Sequence, residues 1–160
     1  MDLTDLQASA SVVIAAPPDK LYEFIADMPR IGEISPECTG GEWESNSRIV
    51  GATFIGANRS GDYSWKARMR VVVAEPASEF AWDNMGAATD ELGDDSEPNA
   101  RWSYKFTPVA GGTEVEETWR MLRIVPQLEA MGEQFVNGLP EARRANMEET
   151  LTKLKALHES

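Results

Sequence analysis

The stretch "VGATFIGANRSGDYSWKARMRV", Val50 to Val71, decides the fold. Over 52–59, Phe54, Gly56 and Asn58 fall on one side of an extended chain, with Thr53, Ile55 and Ala57 on the other. Ser60-Gly61-Asp62 marks a turn. Residues 63–73 then set Tyr63, Trp65, Ala67, Met69, Val71 and Val73 against Ser64, Lys66, Arg68 and Arg70. Alternation with a period of two is the pattern of a half-buried strand with a solvated back, so the stretch predicts two paired strands.

The same pattern extends outward. Residues 79–84 carry Phe80 and Trp82, residues 101–107 carry Trp102, Tyr104 and Phe106, and Gly111-Gly112 turns into 113–122 with Val115, Glu117, Trp119 and Met121 on one face. A further strand opens near 41–45. On the N-terminal side, a weakly alternating 8–15 runs into Pro17-Pro18. Leu21, Phe24, Ile25 and Met28 follow at helical spacing over about 18–28, until Pro29 stops them. "RIGEISPE" reads as a second short helix or turn.

On the C-terminal side Pro126 suits a first helical position, and Leu128, Met131 and Phe135 suit one apolar stripe. "NGLP", 137–140, breaks or kinks that helix, and from about Glu141 Met147, Leu151, Leu154 and Leu157 form the apolar side of a long one. The fold class is therefore α+β: an antiparallel sheet of six to seven strands, two short helices after the first strand, and a long C-terminal helix to cover the buried face.

Composition narrows the function. At 160 residues the chain fits one domain, 1–160, large enough to bury a real core. Fifteen Lys and Arg against 27 Asp and Glu give a net charge of -12, which disfavours nucleic acid and anionic membrane as partners. No apolar run approaches the roughly 20 residues of a membrane span, and "MDLTDLQASA" lacks the pattern of a secretion signal. A soluble protein of the cytoplasm, monomer or homodimer, is expected. One cysteine, Cys38, excludes an intrachain disulfide and argues against structural zinc. His158, the single histidine, sits near the end, where chains usually fray, so no histidine-dependent triad is expected. Neither metal nor cofactor is expected.

Several segments in order, "VVIAAPPDKLYEFIAD" (12–27), "EISPECTGGEW" (33–43), "GATFIGANRSGDYSW" (51–65), "EPASEFAW" (75–82), "RWSYKF" (101–106), "GGTEVEET" (111–118) and "MEETLTKLK" (147–155), resemble the START-like, or Bet v 1-like, superfamily. The resemblance is to its bacterial polyketide cyclase/dehydrase-type group, often labelled SRPBCC. It implies a helix-grip fold, in which the curved sheet wraps the C-terminal helix and encloses a hydrophobic cavity. It does not imply one reaction, because the superfamily includes lipid carriers, hormone receptors, aromatase/cyclases and co-chaperone-like proteins. Ile34 stands where many relatives carry Trp, which implies a different pocket floor or entrance.

The expected ligand-binding set is Phe54, Asn58, Trp65, Met69, Trp82, Trp102, Tyr104, Glu117, Trp119, Met121, Met131 and Phe135. The rings either cage a flat apolar ligand or simply pack, and Met131, Phe135 and Leu139 are expected to close the cavity from the helical side. Asn58 is placed to orient a ligand carbonyl or hydroxyl, or else to hold a loop through backbone hydrogen bonds. Arg59 is expected outside, at the rim. Glu117, on an apolar face, either pairs with Asn58 or Arg59 or protonates and serves as the candidate catalytic acid or base. Lys66, Arg68 and Arg70 read as a solvated outer stripe. The acidic loop 89–97 lacks the spacing of a calcium loop and reads as a solvated mobile lid beside the cavity mouth, and Cys38 as reactive only if exposed. The leading reading is a binding protein for a lipid, polyketide or aromatic metabolite. The alternatives are a metal-free cyclase/dehydratase and a protein-interaction module.

Overall fold

The computed structural model describes residues 3–88 and 97–159. The main part of the acidic segment expected to act as a lid therefore lies outside the described residues. Seven strands form one antiparallel sheet in the order β1-β7-β6-β5-β4-β3-β2. They are β1 (Gln7–Ile14), β2 (Cys38–Trp43), β3 (Thr53–Ser60), β4 (Tyr63–Glu75), β5 (Glu79–Ala87), β6 (Ala100–Val109) and β7 (Gly112–Met121). Helix α1 (Pro18–Ile25) and a 3-10 helix (Met28–Glu33) carry the chain from one sheet edge to the other. After β7 come α2 (Pro126–Glu129), α3 (Glu133–Asn137) and the long α4 (Leu139–Glu159). This is the helix-grip α+β fold expected from the sequence.

Local chemistry sets the ends of these elements. Pro18 occupies the start of α1, where a missing N–H costs nothing, and the helix buries Leu21, Phe24 and Ile25. The indole Nε1–H of Trp43 donates to the Ala26 carbonyl at 3.1 Å, tying the end of α1 to β2. At the β6–β7 turn Gly112 has φ +147°, and a Cβ there would collide with the Ile14 carbonyl oxygen, so only glycine lets β1 close onto β7. The opening stretch pairs as predicted, with Phe54 opposite Met69 and Asn58 opposite Trp65.

Four details of the sequence reading are corrected, two of them by irregularities in the ladder. β2 begins at Cys38 rather than near residue 41, because a register shift between Cys38 and Gly40 lets Cys38 pair with Asn58. A second shift between Val71 and Val73 reverses the faces beyond it, so Ala74 rather than Val73 packs on the core. At the other end of β4, Tyr63 is not on a buried face: it is exposed and stacks on Trp65. The basic stripe is not uniformly solvated either. Arg68 is largely buried and forms a paired Nε and Nη2 contact to Glu44.

Two apolar clusters hold the molecule. One joins Leu21, Ile25, Phe80, Phe106 and Val115 to Leu151 and Leu154 of α4. The other joins Leu6, Trp119, Met121 and Val136 to Leu139 and Met147. Leu157, expected on the same stripe, is exposed. The end of α4 nonetheless makes contacts with the body of the fold. His158 Nδ1 lies 2.9 Å from the Leu154 carbonyl oxygen, and its ring meets Phe24 edge-on at 5.3 Å. Leu154→Ala is expected to lower unfolding free energy in urea by about 2–5 kcal/mol, and Leu157→Ala by less than about 1 kcal/mol. Equal costs would contradict this placement of α4.

Candidate functional site

Strand register builds the site. Trp82, Trp102 and Trp119 are direct partners across β5, β6 and β7, and so are Phe80, Tyr104 and Glu117. Direct partners share a face, so two rows of large side chains stand side by side on the sheet, about 7 Å apart. Trp82 stacks on Tyr104 at 5.9 Å and receives Phe54 edge-on at 5.7 Å.

Above these rows lies a cavity of about 190 Å³. Its lining includes Phe54, Asn58, Trp65, Met69, Trp82, Trp102, Tyr104, Glu117, Trp119 and Met121, ten of the twelve side chains proposed from the sequence. Met131 and Phe135 are not in it; they are 58% and 46% exposed. The reason is that the segment is two short helices rather than one, with Gly132 at φ +95° between them. Only Leu128 of that expected stripe reaches the cavity, and Leu139 is buried in the second apolar cluster instead.

Glu117 is the most constrained polar group. It is 4% exposed, and its Oε1 has no hydrogen-bond partner. Its neighbour is Tyr104, not Asn58 or Arg59. Desolvation pushes its carboxyl up to about 8, and the Tyr104 hydroxyl bond opposes that only in part. The Tyr104 hydroxyl is itself held well above its usual value by burial and by the facing carboxyl. At neutral pH the pair is therefore a protonated acid beside a neutral phenol. Asn58 Nδ2 makes only a long contact to the Gly56 carbonyl, 3.5 Å, while Arg59 is outside with its Nε donating to the Gly61 carbonyl. Cys38 lines the cavity as a thiol whose ionisation is disfavoured by burial, not as an exposed nucleophile.

Helix α4 supplies lining side chains that the sequence reading missed. Arg143, Asn146, Met147 and Thr150 all face the cavity, and their spacing of three and four is one helical face. The signal was present, since Arg143 continues the Met147–Leu151–Leu154 stripe, but a polar residue there reads as solvated. Glu37, before β2, accepts from Arg143 Nη1 and from Asn146 Nδ2, each at 3.4 Å. Asn84 and Asn99 also line the wall, joined to each other at 3.4 Å. No group of potential metal ligands occurs among the described residues, and no helix among them is long and apolar enough to cross a membrane.

Residues 5–159 match the model of a family described as polyketide cyclase / dehydrase and lipid transport. The chain belongs to that family. A polyketide cyclase-like protein from Corynebacterium glutamicum, Cgl2372, is similar at 29% identity over 96% of this chain and 91% of its own, with a TM-score of 0.65. The di-domain aromatase/cyclase StfQ of the steffimycin pathway superposes with a TM-score of 0.73 at 19% identity, over 98% of this chain and 52% of its own length. CV1439 of Chromobacterium violaceum shares the fold at 15% identity, over 96% of this chain and 98% of its own, with a TM-score of 0.68. No curated protein matches the chain.

The raised Glu117 value has a defined consequence for stability. The native protein keeps a proton that the unfolded chain releases above pH 4.5, so stability falls as pH rises from about 4.5 to about 8. The slope is on the order of 1 kcal/mol per pH unit. Glu117→Gln removes this dependence. Its melting temperature is expected to exceed that of the wild type at pH 8 and to converge with it near pH 4.5, as measured by calorimetry across that range.

Proposed function

We propose that this protein binds a hydrophobic small molecule, a lipid, polyketide or aromatic metabolite, inside the cavity. The observation that carries the reading is a cavity walled by aligned aromatic rows, with polar side chains that include Asn58, Glu117, Arg143 and Asn146 set among them. At about 190 Å³ it exceeds the roughly 150 Å³ cavity known to take benzene. It falls below the ~300–1,000 Å³ of most drug-sized sites. A ligand of one or two rings fits the walls as they stand, whereas a longer polyketide requires them to part. The space is large enough for an organic molecule, which supports the binding reading over a filled core.

A second reading, a cyclase or dehydratase, is favoured by one observation: Glu117 and Tyr104 place a neutral acid and a phenol on the cavity wall. In a dehydration, protonated Glu117 would give its proton to the ligand's departing β-hydroxyl, which leaves as water, and the resulting carboxylate would take the α-carbon proton as the double bond forms. Under that reading Glu117→Gln abolishes turnover and leaves affinity nearly intact; under the binding reading it changes neither process nor ligand.

Native mass spectrometry of the purified protein, with extraction of what co-purifies, tests the proposal. A bound apolar molecule is expected. Gly56 lines the cavity, and a Cβ there meets its nearest neighbours only at ordinary contact distance, Met69 Cε at 3.7 Å. Gly56→Leu is therefore expected to fold normally, fill the space and abolish binding. Retained binding in this variant would place the ligand elsewhere.

A further inference from the structure

Arginine chemistry in this molecule is consistent at three places. Arg30, Arg68 and Arg101 each hold a carboxylate side-on through Nε and Nη2, at 2.8 and 3.1 Å, 2.9 and 3.3 Å, and 2.6 and 3.0 Å. That edge is the one that matches a carboxylate's two oxygens. Arg143 departs from the pattern. Its one hydrogen bond to a described residue runs from Nη1 to Glu37 Oε2 at 3.4 Å, an oxygen it shares with Asn146. Its Nε is buried and has no partner.

The guanidinium is nonetheless firmly placed. Its Cζ lies 5.8 Å from the Trp102 ring centre and 5.7 Å from that of Trp119, so the central aromatic row holds the cation from below. Arg143 is thus a cavity-lining cation with a long single hydrogen bond and a buried Nε that no described group meets. A buried, unpaired donor costs more than a hydrogen bond typically contributes, and a charged ligand group removes that cost.

We propose that the cavity's ligand is a hydrophobic carboxylate, its apolar body against Trp82, Trp102 and Tyr104 and its carboxylate on Arg143, partly replacing Glu37. This inference rests on the ligand-binding reading above and names the class of molecule. Glu117, uncharged one row away, sets no repulsion against the anion. Asn146, released by the same exchange, provides a further donor beside Arg143.

The test compares 2-naphthoate with 2-naphthalenemethanol, which have nearly the same shape but differ in charge, by titration calorimetry on the full chain. The wild type is expected to bind both. Arg143→Met is expected to weaken naphthoate by at least about tenfold and to leave the alcohol within about twofold. Glu37→Gln, which removes the competing carboxylate, is expected to tighten naphthoate while leaving the alcohol unchanged, a gain that misfolding does not mimic. Equal effects of the variants on both probes, or no effect on either, would overturn the carboxylate assignment and leave the binding reading standing. Binding of neither probe by the wild type, with no apolar molecule co-purifying, would overturn both.

Discussion

The in-register pairing of β5, β6 and β7 is the constraint on which the rest of this structure depends. It aligns Trp82, Trp102 and Trp119 in one row and Phe80, Tyr104 and Glu117 in the next. Seven strands spaced about 4.8 Å apart span roughly 30 Å, whereas one helix with its side chains covers only about 10 Å of that width. α4 therefore packs along one part of the face, α1 and the 3-10 helix along another, and tall side chains keep the layers apart between them. Residues of both apolar clusters line the space that remains. A slip of one residue in any of these pairings would turn the affected row outward and remove the wall.

The same geometry explains why the polar groups of the site are unusual. Glu117 stands in a row dictated by its strand, so it is buried whether or not a partner is available, and desolvation, only partly opposed by the Tyr104 hydroxyl, raises its carboxyl to about 8. Arg143 is held in place by the faces of two indoles and only loosely by a carboxylate. Both groups carry unmet hydrogen-bonding capacity at the edge of a cavity. A ligand with an apolar body and a polar end meets that capacity, whereas an apolar filler does not.

Much of this was legible in the chain itself. Alternation in 52–59, 63–71, 79–84, 101–106 and 113–122 showed which residues share a face, and ten side chains chosen on that parity line the cavity, while the cavity itself was implied by the family resemblance. Parity failed where the ladder is irregular: the shift at Val71–Val73 moved Val73 off the inward face. Helical periodicity failed over Met131 and Phe135 because Gly132 divides a stripe that looks continuous in sequence. Arg143 and Asn146 were missed for a different reason. Their spacing was correct for the buried face, but residue type argued for solvent, and only the indoles of the sheet opposite, together with Glu37 just before β2, make a cation at that position tolerable.

The central claim is that the aromatic rows enclose a binding cavity rather than a filled core. Indole N–H resonances test it most directly, because four tryptophans line the cavity while the fifth, Trp43, lies outside it with its Nε1–H committed to Ala26. On titration with 2-naphthalenemethanol, the indole signals of Trp65, Trp82, Trp102 and Trp119 are expected to shift along one saturating curve while that of Trp43 stays nearly still. Five unmoved signals, or a shift confined to Trp43, would contradict the account.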